Sequence, residues 1–298
     1  MRIDAVIERL WPGRPATVEL LGGGLTNHNF KVTVGGEAFV VRIPGKDTEL
    51  LGIDRRAEHG AALAAAQVGV GPEVIAFVEP ERCLVTRFVE GRPIPPESMR
   101  VPETIGRAAR TLRLIHEGPP IPGRFDSFRV VETYHDTALA HGGRLPEEYG
   151  GAKEIADRIE RALGPRAERP CHNDLLNANF LDDGECIRIV DWEYAGMGDP
   201  FFDLANFSVN NGLTEADDGA LLAAYGAAED DALARLALMR FMSDFREAMW
   251  GVVQQAVSEL DVDFVAYADE HFERLEATAA SARFRAALDY VTQAQPSQ

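Results

Sequence analysis

The segment 171–206, CHNDLLNANFLDDGECIRIVDWEYAGMGDPFFDLAN, constrains the fold of this chain more than any other stretch. Two short apolar runs in it read as strands, and Asp182-Asp183-Gly184 between them has the composition of a turn. A hairpin folded near residues 184 and 185 would bring Asn179 and Asp191 across from each other. Because cross-strand neighbours lie about 5 Å apart at Cβ, the two side chains could share one hard cation through their oxygen atoms.

Asp174 lies five residues before Asn179, in the loop that leads into the predicted hairpin. A carboxylate facing an acceptor hydroxyl would have to stand there, since phosphoryl transfer requires positioning, metal-held charge neutralisation and a base. Each of Asn179 and Asp191 alone is explained equally well as a cap or turn residue. The combined pattern of HxDxxxxN, hairpin and Asp, followed by Asp199 and Asp203, instead predicts a magnesium–nucleotide site.

The composition limits the partners and the compartment. The chain has 298 residues and a formal net charge of −18, which disfavours nucleic acid and anionic membranes as partners. This charge is compatible with a cationic small substrate, although a solvated acidic surface is the simpler explanation. The three cysteines form no CxxC pair, which favours a reduced, cytoplasmic setting and disfavours a zinc site. We expect no membrane insertion, because no signal-peptide core and no membrane-length apolar run is present.

A glycine-rich segment, Gly22 to Asn27, separates two strand candidates at 17–21 and 29–34. Such an arrangement allows backbone N–H groups to cover phosphates, because glycine permits close approach. A plain hairpin loop explains the glycine triplet equally well. The chain contains no GxxxxGK[ST] run, which disfavours a P-loop nucleoside triphosphatase.

Arg42 lies in a third strand candidate, 38–43, and Glu58 lies in the first turns of a helix predicted at 54–67. Arg42 could reach nucleotide phosphates, or it could be a solvent-facing charge on an edge strand. In a kinase-like small lobe Glu58 would pair with this cation. Considered alone, Glu58 is an acid placed favourably near a helix N-terminus.

The order of the elements predicts an α+β fold with two lobes. Strand candidates occupy the first part, including a second hairpin at 74–78 and 83–88. Residues 90–93 mark the expected hinge, which would present backbone groups to an adenine ring. The predicted helices that follow lie at 103–116, 130–140, 153–163, 215–225, 232–260 and 264–292. We therefore expect a nucleotide-binding lobe at 1–90 and a helical lobe at 91–298 that carries the catalytic loop and the acceptor site.

Five motifs, spread over most of the chain, match a known family. They are GGLTN at 23–27, FVVRIPG at 39–45, FVEGR at 88–92, HNDLLNANF at 172–180 and VDWEYAGMGDPFFDLANF at 190–207. On these motifs the chain resembles choline/ethanolamine kinases, particularly their bacterial choline-kinase-like branch, within the aminoglycoside phosphotransferase superfamily. The resemblance implies a protein-kinase-like, two-lobed fold with a small antiparallel-sheet N-lobe, a mostly helical C-lobe and ATP in the cleft.

The resemblance implies a role for each candidate site residue. Asp174 would be the catalytic base, and Asn179 and Asp191 would bind Mg²⁺. His172 and Asp203 would brace the catalytic loop. Arg42 would take the place of the phosphate-binding lysine in the set of nucleotide-binding residues, which are Gly23, Gly24, Leu25, Thr26, Asn27, Arg42, Glu58 and Phe88.

The resemblance also implies the kind of acceptor. Choline kinases enclose a quaternary ammonium in aromatic rings and acidic residues, because such a cation makes no hydrogen bonds and is attracted to ring faces. Tyr194 and Trp250 are the predicted rings, although Trp250 is explained equally well as a core tryptophan. Where eukaryotic choline kinases place an acidic residue, this chain has Asn210 and neutral neighbours, which weakens the prediction of a permanent cation.

Together these features predict an enzyme that transfers the γ-phosphoryl group of ATP, with Mg²⁺, to the hydroxyl of choline or a similar amino alcohol. Two alternatives remain open. One is a kinase for another hydroxylated amine, of the aminoglycoside or thiamine type, and the other is a catalytically silent nucleotide-binding protein. The intact Asp174, Asn179 and Asp191 argue against the silent protein. We expect a cytoplasmic monomer or homodimer.

Overall fold

The N-terminal part of the chain forms a five-stranded antiparallel sheet. The computed structural model describes residues 3–22, 26–227 and 229–294. The strands are β1 Ala16–Leu21, β2 Asn27–Val34, β3 Glu37–Pro44, β4 Val74–Val78 and β5 Cys83–Arg87. They lie in the order β1-β2-β3-β5-β4, so the predicted strands of this region and both predicted hairpins are confirmed apart from some end residues.

Two glycines make the tight turn between β2 and β3. Gly35 and Gly36 have φ angles of 60° and 86°, in the left-handed region that glycine adopts without steric cost. The resulting register pairs Asn29 with Arg42. Because β3 has β2 on one side and β5 on the other, Arg42 lies on a central strand and not on a solvent-facing edge.

Helix α2, Arg55–Gln67, lies beside this sheet. It begins at Asp54, whose side chain accepts hydrogen bonds from two backbone N–H groups of the first turn. Its alanine-rich face is buried, with Ala61 and Ala65 completely inaccessible to solvent. The cap and the buried face together fix the position of Glu58 in the first turn of α2.

The rest of the chain is mostly helical and is organised around one long helix. Besides α1 Ile3–Leu10 and α2, the helices are α3 Pro102–His116, α4 Ser127–Ala140, α5 Tyr149–Leu163, α6 Pro200–Asn210, α7 Glu215–Tyr225, α8 Ala232–Val257, α9 Phe264–Ala280 and α10 Ala282–Ala294. Helix α8 packs against α4, α6 and α9. Its Phe241, Phe245 and Met249 are fully buried, so α8 forms the centre of the larger hydrophobic core.

The strands that follow α5 belong to two small sheets, one of which also includes the earlier strand β6. Strands β6 Arg92–Pro93, β8 Phe180–Asp182 and β9 Ile187–Ile189 form one, and β7 Arg169–Cys171 and β10 Gly196–Gly198 form the other. Phe180 pairs with Ile189, which confirms the hairpin predicted around residues 184 and 185. The predicted boundary near residue 90 falls between β5 and β6, which belong to different sheets. The division into lobes at 1–90 and 91–298 remains a prediction.

The structure differs from the sequence-based prediction mainly near the C-terminus. The helix predicted at 232–260 ends at Val257. The segment predicted to be helical at 264–292 consists of two helices, because Ser281 adopts an extended conformation and accepts a hydrogen bond from the backbone N–H of Phe284. None of the helices in the described part of the chain has the length and apolar character needed to cross a membrane.

Candidate active site

Arg42 lies between two carboxylates that come from different parts of the chain. Its Nη1 is 2.9 Å from Glu58 Oε1 on α2, and it also pairs with Asp191, which follows β9. Burial opposes the charged form of Arg42, but Asp191 and Glu58 outweigh this effect and raise its pKa above the ordinary value. Arg42 therefore stays positively charged, and the structure brings it together with Glu58 as predicted.

Glu193 is a second carboxylate that connects distant parts of the chain at this site, and it was not among the residues predicted from the sequence. Its Oε1 accepts a hydrogen bond from Thr26 Oγ1 at 2.7 Å, and its Oε2 accepts one from Asn27 Nδ2 at 2.8 Å. Arg55 Nη1 also donates to Glu193, at 3.1 Å, and to Glu58, at 2.8 Å. Glu193 belongs to the DWEY part of the motif at 190–207, but the sequence alone does not show its role because its hydrogen-bond partners are distant in sequence. Of the predicted glycine-rich segment, Gly23, Gly24 and Leu25 lie outside the described residues.

The loop that carries Asp174 is held by Asp203 of α6. Asp203 is fully buried, and its two oxygens accept the backbone N–H groups of His172, at 2.7 Å, and Asn173, at 2.6 Å. Asn173 has a φ of 68°, a left-handed conformation that asparagine tolerates better than most residues. The structure thus brings Asp203 and the His172 loop together, in the arrangement expected of a brace.

His172 connects this loop to the strand opposite. Its Nδ1 accepts the backbone N–H of Asp174, at 3.2 Å, so Nε2 carries the proton and donates it to the backbone oxygen of Val190, at 2.9 Å. Burial lowers the pKa of His172, which favours the neutral ring that these two bonds require. The imidazole therefore acts as a fixed spacer between Asp174 and the segment that carries Asp191.

Asp174, Asn179 and Asp191 converge as predicted. Asn179 Nδ2 donates to the backbone oxygen of Asp174, at 2.8 Å, which leaves the amide oxygen available to a ligand. The backbone N–H of Val190 donates to the backbone oxygen of Asn179, at 3.0 Å, so the hairpin holds Asn179 next to Asp191. A carboxylate and an amide oxygen are hard ligands, and Asn179 and Asp191 fit a magnesium ion on that chemistry.

The surroundings of the two aspartates shift their pKa values in opposite directions. Burial alone would raise the pKa of Asp191, but its pairing with Arg42 brings the pKa below the ordinary value, so Asp191 is ionised. Burial raises the pKa of Asp174 well above its ordinary value, and Arg246 opposes that rise only in part. Asp191 is therefore suited to hold a cation, and Asp174 is suited to take up a proton.

A cleft of about 320 Å³ adjoins these residues. Its walls combine sheet residues and hairpin residues, among them Val40, Arg42, Leu84, Phe88, Leu181, Val190 and Asp191. The apolar walls suit a flat ring, and the charged end near Arg42 and Asp191 suits phosphates. Phe88 lines this cleft together with Val89 and Gly91, next to the predicted hinge.

The two predicted acceptor-site rings lie together; Trp250 is buried, and Tyr194 is half-buried and lines a separate pocket. Trp250 Nε1 donates to the Tyr194 hydroxyl, at 2.9 Å. Trp250 is 7% exposed and lies edge-on to Phe264 and Tyr267, with ring centroids 5.7 and 5.3 Å away. The Tyr194 face carries the Arg246 guanidinium, whose carbon is 4.4 Å from the ring centroid. This geometry favours the core interpretation of Trp250.

A buried cluster of His116, Cys171 and Asp203 has the spacing of metal ligands, and it is the one such cluster of His, Cys, Asp and Glu among the described residues. His116 Nε2 lies 3.0 Å from Asp203, and His116 Nδ1 lies 2.9 Å from the Tyr225 hydroxyl. Both ring nitrogens are thus already engaged within the protein. His116 therefore helps to hold the Asp203 side chain in place. The residues predicted to bind magnesium, Asn179 and Asp191, are not part of this cluster.

Comparison with known proteins agrees with this site. A model of the phosphotransferase enzyme family matches residues 17–239. LicA from Haemophilus influenzae is 25% identical over 213 residues, which are 68% of this chain and only 61% of LicA. The probable choline kinase 2 of Arabidopsis thaliana is 24% identical over 297 residues, which cover 85% of this chain and 83% of the plant protein.

Solved structures confirm the protein-kinase-like fold. A choline/ethanolamine kinase family protein from Mesorhizobium loti has 34% sequence identity and a TM-score of 0.83, covering 97% of this chain and 96% of its own. A structure of LicA in complex with AMP has 22% identity and a TM-score of 0.75, covering 93% of this chain and 97% of its own. The chain therefore belongs to the phosphotransferase enzyme family and, within it, to the choline/ethanolamine kinase family.

Proposed function

We propose that this protein is an ATP- and magnesium-dependent kinase that transfers the γ-phosphoryl group to the hydroxyl of choline or a similar amino alcohol. The observation that carries the proposal is that Asp191 lines a cleft together with the Arg42–Glu58 pair, while hydrogen bonds hold Asn179 and Asp174 beside it. These are the elements that phosphoryl transfer needs, namely a base, oxygen ligands for a metal and a fixed cation for the phosphates.

Each residue has a distinct task in the proposed reaction. Asp191 and the amide oxygen of Asn179 would hold Mg²⁺, which would neutralise charge on the triphosphate. Arg42 binds phosphate oxygens and is itself oriented by Glu58. Asp174 accepts the proton of the acceptor hydroxyl as the new oxygen–phosphorus bond forms. The bond between the γ-phosphorus and the bridging oxygen breaks, and ADP leaves with the bond electrons.

The nucleotide is proposed to lie in the apolar part of the cleft. Val40, Leu84 and Leu181 would contact the adenine ring, and Phe88 and Val89 line the same cleft. Thr26 and Asn27, at the end of the glycine-rich segment, are tied to Glu193 beside the phosphate end. LicA, which has the same fold, has a structure in complex with AMP, and this supports nucleotide binding by this chain.

The acceptor class rests on the relatives and on the site together. LicA, the probable choline kinase 2 and the Mesorhizobium loti protein connect this chain to choline and ethanolamine kinases. The carboxylates of Asp174, Glu193 and Glu247 lie close enough to influence one another, which suits an acceptor with a protonated amine. A scaffold without catalytic activity would not need the complete set of catalytic and metal-binding side chains.

Acceptor-dependent ADP release tests the proposal. The acceptors are choline, ethanolamine, thiamine and an aminoglycoside, each measured with Mg²⁺ and with excess chelator. We expect magnesium-dependent ADP release with at least one amino alcohol and a much lower rate with the aminoglycoside. Preference for the aminoglycoside or thiamine would assign the enzyme to that alternative. No acceptor-dependent release, despite measured binding of MgATP, would favour the silent nucleotide-binding protein.

A further inference from the structure

A second cavity, of about 300 Å³, lies where α8, α9 and the start of α10 meet. It shares no lining residue with the cleft that contains Arg42. Arg240 of α8, Thr278 of α9, and Ser281 and Arg283 at the start of α10 contribute to its wall. The described residues that line it include no carboxylate. In a chain with a formal net charge of −18, this cavity therefore has a wall suited to an anion.

The carboxylate that pairs with both arginines lies behind the wall of the cavity. Asp218 of α7 is fully buried and does not line the cavity. Its Oδ2 is 3.3 Å from Arg240 Nη1 and 2.8 Å from Arg283 Nη2. Because two guanidinium groups share one carboxylate oxygen, their positive charge is compensated only in part.

Each arginine uses only one nitrogen to hold Asp218. The contacts of Arg240 with Asp218, the Ser208 hydroxyl and the backbone oxygen of Leu213 all come from Nη1. Arg283 reaches Asp218 through Nη2. The side chains of Arg240 and Arg283 are 21% and 23% exposed, so neither guanidinium is sealed in the core. Both can therefore donate further hydrogen bonds without releasing Asp218.

Positive charge is in excess around Arg240. Burial lowers the pKa of Arg240, and Arg283 and Arg274 lower it further, so that it lies below the ordinary value despite Asp218 and Asp244. Arg274 Nη2 lies 3.0 Å from Asp244 Oδ1. Three arginines therefore share two carboxylates, and an anion in the cavity would reduce the repulsion among them.

The N-terminus of α10 borders the same cavity. The extended conformation of Ser281 ends α9, and the 13 residues of α10 follow directly. The first turn of α10 contains no acidic residue and instead carries Arg283. The partial positive charge of a helix N-terminus favours an anion, and here no side chain of the first turn supplies one. The break between α9 and α10 thus adds to the preference of the cavity for negative charge.

We propose that this cavity binds a phosphate group, held by the guanidinium groups of Arg240 and Arg283 beside the Thr278 side chain. Planar guanidinium groups match the spacing of phosphate oxygens, which favours this ligand over a monatomic anion. The phosphate group belongs either to free phosphate or to a small phosphate ester. None of the residues in this site has a task in the proposed reaction, so the inference does not depend on that reaction.

Isothermal titration of the full chain with sodium phosphate tests the site. MgADP is present to occupy the nucleotide cleft, and sodium chloride at equal ionic strength is the reference titrant. We expect phosphate to bind and Arg283→Gln to weaken its binding about tenfold or more, the range for hydrogen bonds to a charged group. Glycerol 3-phosphate is titrated in the same way. Tighter binding than that of phosphate would support the site with an ester as its ligand, and weaker binding would support it with free phosphate.

Arg285→Gln is the matched control for Arg283→Gln. Arg285 lies on the same helix, is exposed and does not line the cavity, so its replacement changes the net charge equally and leaves the site intact. Its effect on phosphate affinity should stay within about twofold, because exposed charges act weakly through solvent. Hydrogen exchange locates the ligand independently. Phosphate should slow exchange at residues 278–285 in the wild type and in Arg285→Gln, and much less in Arg283→Gln.

Two results would overturn the inference. One is wild-type protein that binds phosphate no better than chloride, or that shows no protection at residues 278–285, and neither measurement needs a variant. The other is an equal loss of phosphate affinity in Arg283→Gln and Arg285→Gln. If circular dichroism shows that Arg283→Gln is unfolded, Arg283→Lys takes its place, because it keeps the charge beside Asp218 and removes the planar guanidinium. The proposed function fails separately, through absence of ADP release with every acceptor.

Discussion

Thr26 Oγ1 donates a hydrogen bond of 2.7 Å to Glu193 Oε1, joining two residues that lie 167 positions apart. The contact ties the end of the glycine-rich segment to the segment that carries Asp191. Glu193 also accepts hydrogen bonds from Asn27, at 2.8 Å, and from Arg55, at 3.1 Å. One buried carboxylate therefore holds the N-terminal sheet and helix α2 against the catalytic segment.

We expect Glu193→Gln to weaken MgATP binding about threefold to tenfold, with a smaller effect on kcat. The amide directs an NH₂ group at donors that now receive a carboxylate oxygen, so at least one of the present bonds is lost. Loss of the contact to Thr26 should also loosen the glycine-rich segment. Isothermal titration measures the affinity, and hydrogen exchange at Thr26 and Asn27 should become faster.

Glu259→Gln is the matched control for the Glu193 variant. Glu259 pairs with Lys46, and the two side chains are 80% and 70% exposed. Exposed ion pairs contribute little to stability or binding, so nucleotide affinity should not change. Equal behaviour of the two glutamine variants would contradict a specific role for Glu193.

Asp174→Ala should abolish turnover and leave nucleotide affinity nearly unchanged, because the base acts on the acceptor hydroxyl. Loss of a positioned base lowers kcat by about a hundredfold or more. Single-turnover measurement of ADP formation gives the rate, and titration with MgADP gives the affinity. Turnover at the wild-type rate would show that Asp174 is not the base.

The catalytic segment could be predicted because its signals are local. The turn composition of Asp182-Asp183-Gly184 and the adjoining apolar runs were sufficient for the β8–β9 hairpin, which the structure confirms. The pairing of Arg42 with Glu58 required the assumption that α2 packs against β3. That assumption came from the kinase-like resemblance, since neither residue alone distinguishes a site from a solvated surface.

Contacts between distant residues could not be predicted in the same way. Arg246 and Glu247 interrupt an apolar-striped helix, and the sequence does not show that both are buried beside Asp174. Trp250 was equally compatible with core and acceptor roles, because burial depends on the packing of α9 against α8. The break at Ser281 was missed because one serine is a weak signal within a helical periodicity.

Asp191→Asn should weaken magnesium-dependent ATP binding and activity together, because it removes a charged ligand for the cation. The change also removes the charge that pairs with Arg42. Raised Mg²⁺ concentrations should restore part of the affinity. Thermal shift with ATP across a magnesium series measures the effect, and an unchanged, magnesium-independent shift would make Asp191 a structural residue.

Trp250→Leu should mainly reduce stability, by about 2–4 kcal/mol of unfolding free energy. Trp250 is 7% exposed, and its loss leaves a cavity beside Phe264 and removes the hydrogen bond to the Tyr194 hydroxyl. Urea unfolding gives the free energy, and the acceptor KM is measured in parallel. Tyr290→Leu, at a position that is 48% exposed, should have little effect on either quantity.

The opposite pattern for Trp250→Leu would assign the ring to the acceptor. Unchanged stability together with an acceptor KM that rises about tenfold would mean that a ring face had been lost from a binding site, since tenfold corresponds to about 1.4 kcal/mol. KM for ATP serves as the internal control, because the nucleotide is expected in the cleft lined by Val40 and Leu84.

Asp183→Asn should make the free energy of unfolding less dependent on acidic pH. Asp183 Oδ1 accepts the backbone N–H groups of Cys186, at 2.6 Å, and Glu185, at 2.9 Å, and Oδ2 pairs with Arg188, at 3.0 Å. These contacts lower the pKa of Asp183 to about 2, whereas an aspartate in an unfolded chain has a pKa of about 3.9.

A lowered pKa in the folded state contributes stability that is complete above the unfolded-state pKa and is lost as pH falls toward the folded-state pKa. The wild type should therefore be more stable than Asp183→Asn at neutral pH, and urea unfolding should show the difference shrinking below about pH 4. Asp261→Asn, at an exposed position, is the control, and a difference that stays constant down to acidic pH would show that the turn does not depend on this charge.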